Sequence, residues 1–304
     1  MNSHPGVSAP TAITPGSNTY ATFRRALRRA ERSLKRDLPW IGHPDPWAVL
    51  VSEFMLQQTQ VSRVIVPWQK FLTTFPTPSA CANAPLSTVV RSWSGLGYPR
   101  RAKALHDAAT MIRDEFDGVV PSEVDQLRRL PGVGEYTAHA VASFSFAKPV
   151  AVLDTNVGRI LSRALANQTL VASEARTMAR EVLGRANSAR LNQSMLDLGA
   201  QFCRAVPRCD VCPVASNCKW NLEGGADPAP RSAAVSRAQT PFVGSDRQLR
   251  GQVLAQLGHG PRTKRQLFSS LDDVDVSRRE NILGGLASDG LVQLQGQVVQ
   301  LAGD

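Results

Sequence analysis

The sequence predicts an all-α protein that ends in a small domain of three helices and a β-hairpin. Apolar residues recur at helical spacing through most of residues 19–222. Patterns typical of strands are nearly absent before residue 116. A Pro-Gly-Val-Gly turn at residues 131–134 lies between two helical segments. The predicted central motif is therefore a helix, a glycine hairpin and a second helix.

Before the hairpin, the predicted elements are helices separated by proline or glycine. Phe23, Leu27 and Leu34 fall on one face of the first helix, and Asp45-Pro46 is a typical helix start. Helices are predicted at residues 22–38, from residue 46, and at 60–74, 79–93 and 100–115. Residues 1–18 contain no charged side chain and are rich in Pro, Ser and Thr, so a disordered tail is expected there.

After the hairpin, an apolar run leads to Asp154 at the start of another helix. This position lets the carboxylate cap free backbone N–H groups and stay ionised. Two helices at residues 174–186 and 192–204, a cysteine loop at 203–218 and a Gly/Ala/Pro/Ser-rich linker at 223–242 follow. Residues 243–304 form the final domain, predicted as winged-helix-like with helices at 245–258, 264–271 and 277–290 and a hairpin of 291–294 with 298–301.

The charge balance is compatible with a nucleic-acid partner without proving one. The 304 residues include 35 Lys and Arg against 25 Asp and Glu, a formal net charge of +10. No apolar run approaches the roughly 20 residues of a membrane span, and the N-terminus lacks the features of a signal peptide. We therefore expect an intracellular, cytoplasmic protein with no membrane partner.

Four of the five cysteines lie within sixteen residues, in the order C-x5-C-x2-C-x5-C. This crowding favours metal or cluster ligation over disulfides. Because no histidine alternates with them, Cys203, Cys209, Cys212 and Cys218 are predicted to hold a [4Fe–4S] cluster. A four-cysteine zinc site remains the alternative. The fifth, Cys81, is predicted to be a small buried residue.

Several of these motifs resemble a known enzyme family. LPGVG at residues 130–134 and AVLDTNV at 151–157 resemble the helix-hairpin-helix DNA glycosylases. SEFMLQQTQ at 52–60, GLGYPRRAK at 95–103 and Tyr136 resemble the MutY-type adenine glycosylases within that superfamily. The resemblance implies a two-lobed helix-hairpin-helix fold with a cluster loop, expected to act as a monomer. It further implies a hydrolase of base excision repair that removes adenine mispaired with 8-oxoguanine or guanine from double-stranded DNA.

Cleavage of an N-glycosidic bond requires two carboxylates in unlike settings. On the helix that begins at Pro46, Glu53 falls off the apolar stripe and shares a polar face with Gln57. The resemblance implies that Glu53 protonates the adenine and later helps to activate water, with Asn156 as an orienting hydrogen-bond partner. It also implies that Asp154 stabilises the positive charge on the sugar. Burial beside a flipped base should raise the pKa of Glu53.

Tyr136 distinguishes the subclasses. Bifunctional relatives carry a lysine at this position, whose amine attacks the sugar. A tyrosine cannot form an imine, so a monofunctional glycosylase that uses water is predicted. Simple packing of Tyr136 at the hairpin is the alternative.

The hairpin and two further segments are candidate DNA contacts. Backbone N–H groups of Gly132, Val133 and Gly134 can hold a phosphate. By resemblance, Gln57, Gln58 and Tyr98 wedge into the duplex or contact the orphaned partner base. Helix surface and turn packing remain open as simpler roles for these three.

The chain departs from the family pattern in two places. Its first cysteine spacing is C-x5-C rather than C-x6-C, and its final domain is too short and too helical for the Nudix-like domain that checks for 8-oxoguanine. Two other functions therefore stay open: a thymine- or uracil-mismatch glycosylase on the same scaffold, and a non-catalytic iron–sulfur protein that binds DNA.

Overall fold

A computed structural model of the chain describes residues 17–184, 188–236, 241–271 and 273–304. The expected tail falls almost wholly outside these ranges, as do residues 237–240 of the expected linker and the end of the helix predicted at 174–186. Within the described ranges the chain is mostly helical, and strands occur only after residue 261. The all-α class with a small C-terminal sheet is confirmed.

The chain divides into two compact units. One comprises Met1–Arg36 with Ala147–Arg237, and the other comprises Asp37–Phe146 with Ala238–Asp304. The first unit begins with α1 (Ser17–Leu34). Phe23, Leu27 and Leu34 are at most 1% exposed, which confirms the predicted apolar face of this helix.

Seven helices and a short 3-10 turn build the second unit before its C-terminal part. They are α2 (Pro46–Leu56), the 3-10 turn Val61–Arg63, α3 (Ile65–Thr74), α4 (Pro78–Asn83), α5 (Leu86–Ser92), α6 (Arg100–Glu115), α7 (Val124–Leu127) and α8 (Glu135–Phe146). The prediction of a single helix at residues 79–93 is wrong, because Pro85 divides this segment into α4 and α5. Ala84 is extended (ψ 148°), as the residue before a proline prefers, and Pro85 caps the next helix.

The first unit continues with helices that surround the cysteine loop. They are α9 (Thr155–Ile160), which runs on as a π-helical turn (Leu161–Ala166), α10 (Ala172–Leu183), α11 (Ser188–Gln201) and α12 (Lys219–Glu223). Part of the predicted linker packs here. The Leu170 N–H donates to Ser232 Oγ at 3.1 Å, and the Ala233 N–H donates to the Leu170 carbonyl at 2.8 Å.

The C-terminal part of the second unit has three helices and three strands. They are α13 (Asp246–Leu257), β1 (Arg262–Thr263), α14 (Lys264–Ser269), α15 (Val276–Ser288), β2 (Val292–Gln295) and β3 (Val298–Leu301). The strands are antiparallel in the order β1-β3-β2. Gln295 pairs with Val298, and Gly296 adopts φ 61° in the intervening turn. This arrangement is consistent with the predicted winged-helix-like domain, to which β1 adds a strand.

Ion pairs fasten this domain to α5 and α6 of the same unit. Arg91 binds the Asp304 carboxylate at 2.7 Å, and Arg100 binds the Asp289 carboxylate, which also pairs with Arg250. Burial acts to raise the pKa of Asp289, but the hydrogen bond from Arg100 and the charge of Arg250 hold it below its usual range. The ionised form of Asp289 is therefore stabilised in the folded protein.

We predict that Asp289→Asn lowers the free energy of unfolding at neutral pH by about 1.5 to 3 kcal/mol. The pKa of Asp289 is lower in the folded state than in the unfolded state. The contribution of Asp289 to stability is therefore present above its unfolded-state pKa and is lost as pH falls through its folded-state pKa. Urea denaturation at about pH 7 and about pH 3 should show a difference between wild type and variant that becomes smaller in acid. Asp273→Asn, at an exposed position of the same domain, is the control. A difference that persists unchanged in acid would contradict the assignment.

Candidate active site and cysteine loop

Helix α2 places Glu53 in the interior of its unit. Asp45 caps the helix by accepting the Trp47 N–H at 2.9 Å, and Pro46 occupies the first turn. Residues 47–55 are all buried, and Glu53 is only 5% exposed. The face of α2 that the sequence left polar is buried as well, because neighbouring helices cover it. Gln57 follows the last turn and is partly exposed.

The glycine hairpin joins α7 to α8. Gly132 has φ +77°, and a Cβ there would lie 2.7 Å from Ala104 Cβ and 2.8 Å from Phe54 Cε1. Glycine is thus required where the hairpin packs on α6 and α2. The Val133 side chain is buried, at 7% exposure. Gly134 is exposed, and no atom lies within 4 Å of the position of a Cβ there. A phosphate can therefore approach this backbone.

The first turn of α8 lies beside the end of α2. Tyr136 is half-buried in this turn. The Gln57 Nε2 atom donates to Thr137 Oγ1 at 3.5 Å. Helices α2 and α8, which carry Glu53 and Tyr136, therefore pack against each other, and Gln57 links the end of α2 to α8 through Thr137.

Arg101, which sequence reasoning missed, connects α2 to the loop before α6. It is 8% exposed. Nη1 donates to the carbonyl oxygens of Phe54, Met55 and Gln57 at 2.9, 2.9 and 2.6 Å. Nη2 donates to Thr59 Oγ1 and the carbonyl oxygens of Leu96 and Gly97 at 3.0, 3.1 and 2.8 Å. The cation satisfies carbonyls that the end of α2 leaves without a helical donor.

The same guanidinium lies next to two strained residues. Gln58 and Tyr98 adopt φ 55° and 47°, in the left-handed region that side chains other than glycine disfavour. Each directly follows a residue, Gln57 or Gly97, whose carbonyl Arg101 binds. The Arg101 Cζ atom is also 5.5 Å from the centroid of the Tyr98 ring. One buried arginine thus sets the backbone at two predicted DNA contacts.

Asp154 caps α9 in the other unit, which confirms the predicted helix start. Its Oδ1 accepts the Val157 N–H at 2.8 Å, and its Oδ2 accepts the Asn156 amide at 2.7 Å. Burial nevertheless raises the pKa of this carboxyl, while the two hydrogen bonds and the charge of Arg159 act in the opposite direction. Burial and capping therefore act on the pKa of Asp154 in opposite directions, and the ionised state of this carboxyl stays a prediction.

Arg159, also missed, extends this network to the cysteine loop. Its Nη2 donates to Asn156 Oδ1 at 2.5 Å, and its Nε donates to the Cys203 carbonyl at 2.6 Å. A Cβ at Gly199 would lie 2.4 Å from Asn156 Cβ, so α11 can pack this closely on α9 only because residue 199 is glycine. Hydrogen bonds therefore run continuously from Asp154 through Asn156 and Arg159 to Cys203. The spacing of Arg159, one helical turn after Asn156, was the available signal in the sequence.

All four predicted ligand cysteines line one pocket, together with apolar side chains that include Leu198, Phe202 and Val214. They are free thiols, partly exposed. Arg163 Nη1 donates to Cys203 Sγ at 3.5 Å. Backbone N–H groups of Val214 and Asn221 donate to the sulfur atoms of Cys212 and Cys218. This set of thiols and N–H donors has the chemistry of an iron–sulfur site.

Two further observations concern groups of potential metal ligands and Cys81. Among the residues that the structure describes, no group of three potential ligands is arranged to hold a metal ion. Cys81 is fully buried, as predicted, and burial raises the pKa of its thiol to about 12. None of the helices in the described ranges has both the length and the apolar character of a membrane span.

A family match and two similar solved structures identify the class of protein. Residues 51–185 match the HhH-GPD superfamily base excision DNA repair protein family. A thermostable thymine-DNA glycosylase shares the fold with TM-score 0.62 and 23% identity, covering 68% of this chain and 98% of that one. A trapped endonuclease III–DNA covalent intermediate gives TM-score 0.61 and 21% identity, covering 69% and 99%. The fold is that of the helix-hairpin-helix glycosylases.

Relatives in sequence narrow this class. The chain is 42% identical over 271 residues to the adenine DNA glycosylase of Mycolicibacterium smegmatis, covering 85% of this chain and 88% of the relative. Identity to that of Mycobacterium tuberculosis strain H37Rv is 38% over 302 residues, covering 95% and 93%. The human adenine DNA glycosylase is 37% identical over 212 residues, covering 65% and 39%. The chain belongs to the adenine DNA glycosylase family, which confirms the resemblance of its motifs.

We predict that Arg101→Lys lowers the free energy of unfolding by at least about 3 kcal/mol. A lysine ammonium cannot reach the acceptors at the end of α2 and those in the loop before α6 at the same time, so buried carbonyls lose their donors. Urea denaturation measures this loss. Arg128→Ala, at an exposed position of the same unit, should change the free energy by less than about 0.5 kcal/mol. Equal stability of Arg101→Lys and wild type would refute the role of Arg101.

Proposed function

We propose that this protein is a monofunctional DNA glycosylase that hydrolyses the N-glycosidic bond of adenine mispaired with 8-oxoguanine or guanine. The observation that carries the proposal is the pair of acids in unlike settings, Glu53 buried within α2 and Asp154 capping α9. Relatives that align along most of their length and are named adenine DNA glycosylase support it.

Glu53 acts as the general acid in this proposal. Adenine leaves as a neutral base only if it is protonated as the bond stretches. The buried surroundings of α2 disfavour a carboxylate and favour the acid that carries the proton. After the base has left, the ionised Glu53 assists the attack of water.

Asp154 stabilises the positive charge that develops on the deoxyribose. Burial makes its anion costly in the free protein, which is why its pKa is raised. A cationic sugar placed beside the carboxylate offsets this cost, so most of the stabilisation is realised in the transition state rather than the ground state. The Asn156 amide holds Oδ2 in a fixed orientation for this role.

Tyr136 makes water the nucleophile. It occupies the position of the amine in bifunctional relatives, and a phenol forms no imine with the sugar. The expected products are free adenine and an intact strand with an abasic site.

The DNA-binding surface in this proposal combines the hairpin with the turns around Arg101. The exposed backbone at Gly134, before the N-terminus of the twelve-residue helix α8, is a site for phosphate. Gln57, Gln58 and Tyr98 contact the gap left by the flipped adenine and its unpaired partner. We propose that the protein acts as a cytoplasmic monomer on DNA.

The cysteine loop would hold a [4Fe–4S] cluster through Cys203, Cys209, Cys212 and Cys218. When bound, the cluster would cross-link residues 203–218 through four iron–thiolate bonds. The network from Cys203 through Arg159 then ties the conformation of this loop to that of Asp154. In this proposal residues 19–222 form the glycosylase domain and residues 243–304 the appended domain.

We predict that the wild-type protein releases adenine from duplexes with A:8-oxoguanine and A:G pairs and leaves T:G and U:G pairs intact. Single-turnover assays with and without alkali measure this, and strand breaks should require alkali. Glu53→Gln should lower the rate by at least about 10³-fold, within the usual contribution of general acid catalysis, while duplex affinity stays within about three-fold, because the substitution removes the proton donor only.

Three outcomes would overturn this assignment. Release of thymine or uracil but not adenine would identify the mismatch glycosylase of the same fold. Binding of all duplexes without release of any base would identify a non-catalytic DNA-binding protein. Nicking without alkali would contradict the role of Tyr136.

We predict that protein purified without oxygen is brown and contains about four iron and four sulfide ions per chain. Cys212→Ser should lower the iron content and broaden the thermal transition, because the loop loses a cross-link. Metal analysis that finds about one zinc ion per chain would establish the alternative four-cysteine site.

A further inference from the structure

The C-terminal domain is unlike a typical DNA-binding winged helix in its charge. Residues 241–304 contain seven Lys and Arg and seven Asp and Glu, so their formal net charge is zero, whereas the whole chain carries +10. At the start of α15, Arg278 pairs with Asp246, and Arg279 donates to the carbonyls of Val274 and Phe268. These arginines are engaged within the domain. Electrostatic attraction to phosphates is therefore a poor account of its function.

Arg247 in the first turn of α13 makes a different contact. Its Nη1 donates to Tyr98 Oη at 2.5 Å, and its Cζ lies 5.4 Å from the centroid of the Tyr98 ring. Arg101 Cζ lies 5.5 Å from the same centroid. Two guanidinium groups thus fix one tyrosine ring, and one of them belongs to the C-terminal domain. All three residues lie in the same compact unit.

An exposed aromatic ring adjoins this contact. Phe242 is 56% exposed, and its ring centroid lies 6.0 Å from Arg247 Cζ. Val243 beside it is 83% exposed. Phe242, Arg247 and Tyr98 therefore form a row of planar groups, which we call the aromatic row. Rings and guanidinium planes at a surface are the groups on which unpaired nucleobases stack.

A cleft lies next to the aromatic row. A cleft of about 280 Å³ separates the loop before α6 from α13, with Gly95 and Pro99 on one side and Leu254 and His259 on the other. Apolar packing at this place is therefore incomplete. The C-terminal domain is therefore linked to the rest of its unit here by polar contacts, namely Arg247 with Tyr98, Arg91 with Asp304 and Arg100 with Asp289.

We propose that the C-terminal domain positions Tyr98 through Arg247 and, with Phe242, supplies a stacking surface for the purine left unpaired opposite the excised adenine. This inference rests on the proposed function, since Tyr98 is a DNA contact only there. The domain would thereby contribute to recognition of the opposite base by positioning a residue of the catalytic domain, without phosphate contacts of its own. Arg247 is a positioning residue in this account, and Phe242 a contact residue.

Binding to a duplex with 8-oxoguanine opposite a tetrahydrofuran abasic analogue tests the proposal, since this probe has no base to release. Arg247→Ala and Phe242→Ala should each weaken binding about ten-fold, within the usual effect of removing one stacking platform. Arg247→Lys should lie between Arg247→Ala and wild type. The matched control is Arg265→Ala, an exposed arginine of the same domain, and it should stay within two-fold of wild type. The single-turnover rate at saturating Arg265→Ala should also stay within about three-fold of wild type.

A double variant and ¹⁹F spectroscopy distinguish positioning of Tyr98 by Arg247 from a general effect of the arginine's charge. Tyr98→Phe removes the acceptor, so combining it with Arg247→Ala should weaken binding no further than Arg247→Ala alone. The chain has three tyrosines, Tyr20, Tyr98 and Tyr136. In fluorotyrosine-labelled protein, Arg247→Ala should shift and broaden the ¹⁹F signal of Tyr98 and leave the other two in place.

The proposal is overturned if Arg265→Ala weakens binding as much as Arg247→Ala, if the two substitutions multiply in the double variant, or if the Tyr98 signal does not change. These results do not depend on catalysis. A wild-type protein that fails to release adenine contradicts the proposed function alone, and the spectroscopic test of the Arg247–Tyr98 contact remains decisive.

Discussion

A buried guanidinium needs an acceptor for each of its donors, and in this protein that requirement shapes the candidate active site. Arg101 meets it with carbonyls from the end of α2 and from the loop before α6. The ends of these segments are thereby held around one cation. Gln58 and Tyr98 can keep their left-handed backbones because the neighbouring carbonyls are fixed. The position of Gln58 and Tyr98 relative to the helix of Glu53 is thus a consequence of one buried charge.

The fold places the carboxyl groups of Glu53 and Asp154 in different surroundings. Glu53 lies in the middle of a helix whose every face is covered. Asp154 accepts hydrogen bonds from a helix start and from Asn156, yet burial still raises its pKa. An anion that is costly before substrate binds gains most when a cation forms beside it. The network through Asn156 and Arg159 connects Asp154 to the cysteine loop, so the conformations of these two parts of the first unit are linked.

Local signals predicted much of this structure from the sequence. The cap at Asp154, the bounds of α6 and the glycine at residue 132 each depend on chain neighbours or on backbone conformation. Contacts between distant residues could not be predicted in this way. Arg101 binds the Phe54 carbonyl, 47 residues away, and Arg247 binds Tyr98 across 149 residues. The burial of Glu53 likewise comes from helices that cover a face whose sequence is polar. The sequence therefore located the acids, while only the fold showed what surrounds them.

The central claim is that Glu53 gives a proton to the flipped adenine and that Asp154, as an anion, stabilises the positive charge on its deoxyribose. A crystal structure of the protein with a duplex containing a non-hydrolysable fluorinated deoxyadenosine opposite 8-oxoguanine tests it most directly. The account predicts that the Glu53 carboxyl group hydrogen-bonds the adenine ring and that the Asp154 carboxylate contacts the deoxyribose of the same nucleotide. An adenosine bound to only one of these acids, or left stacked in the duplex, would contradict the account.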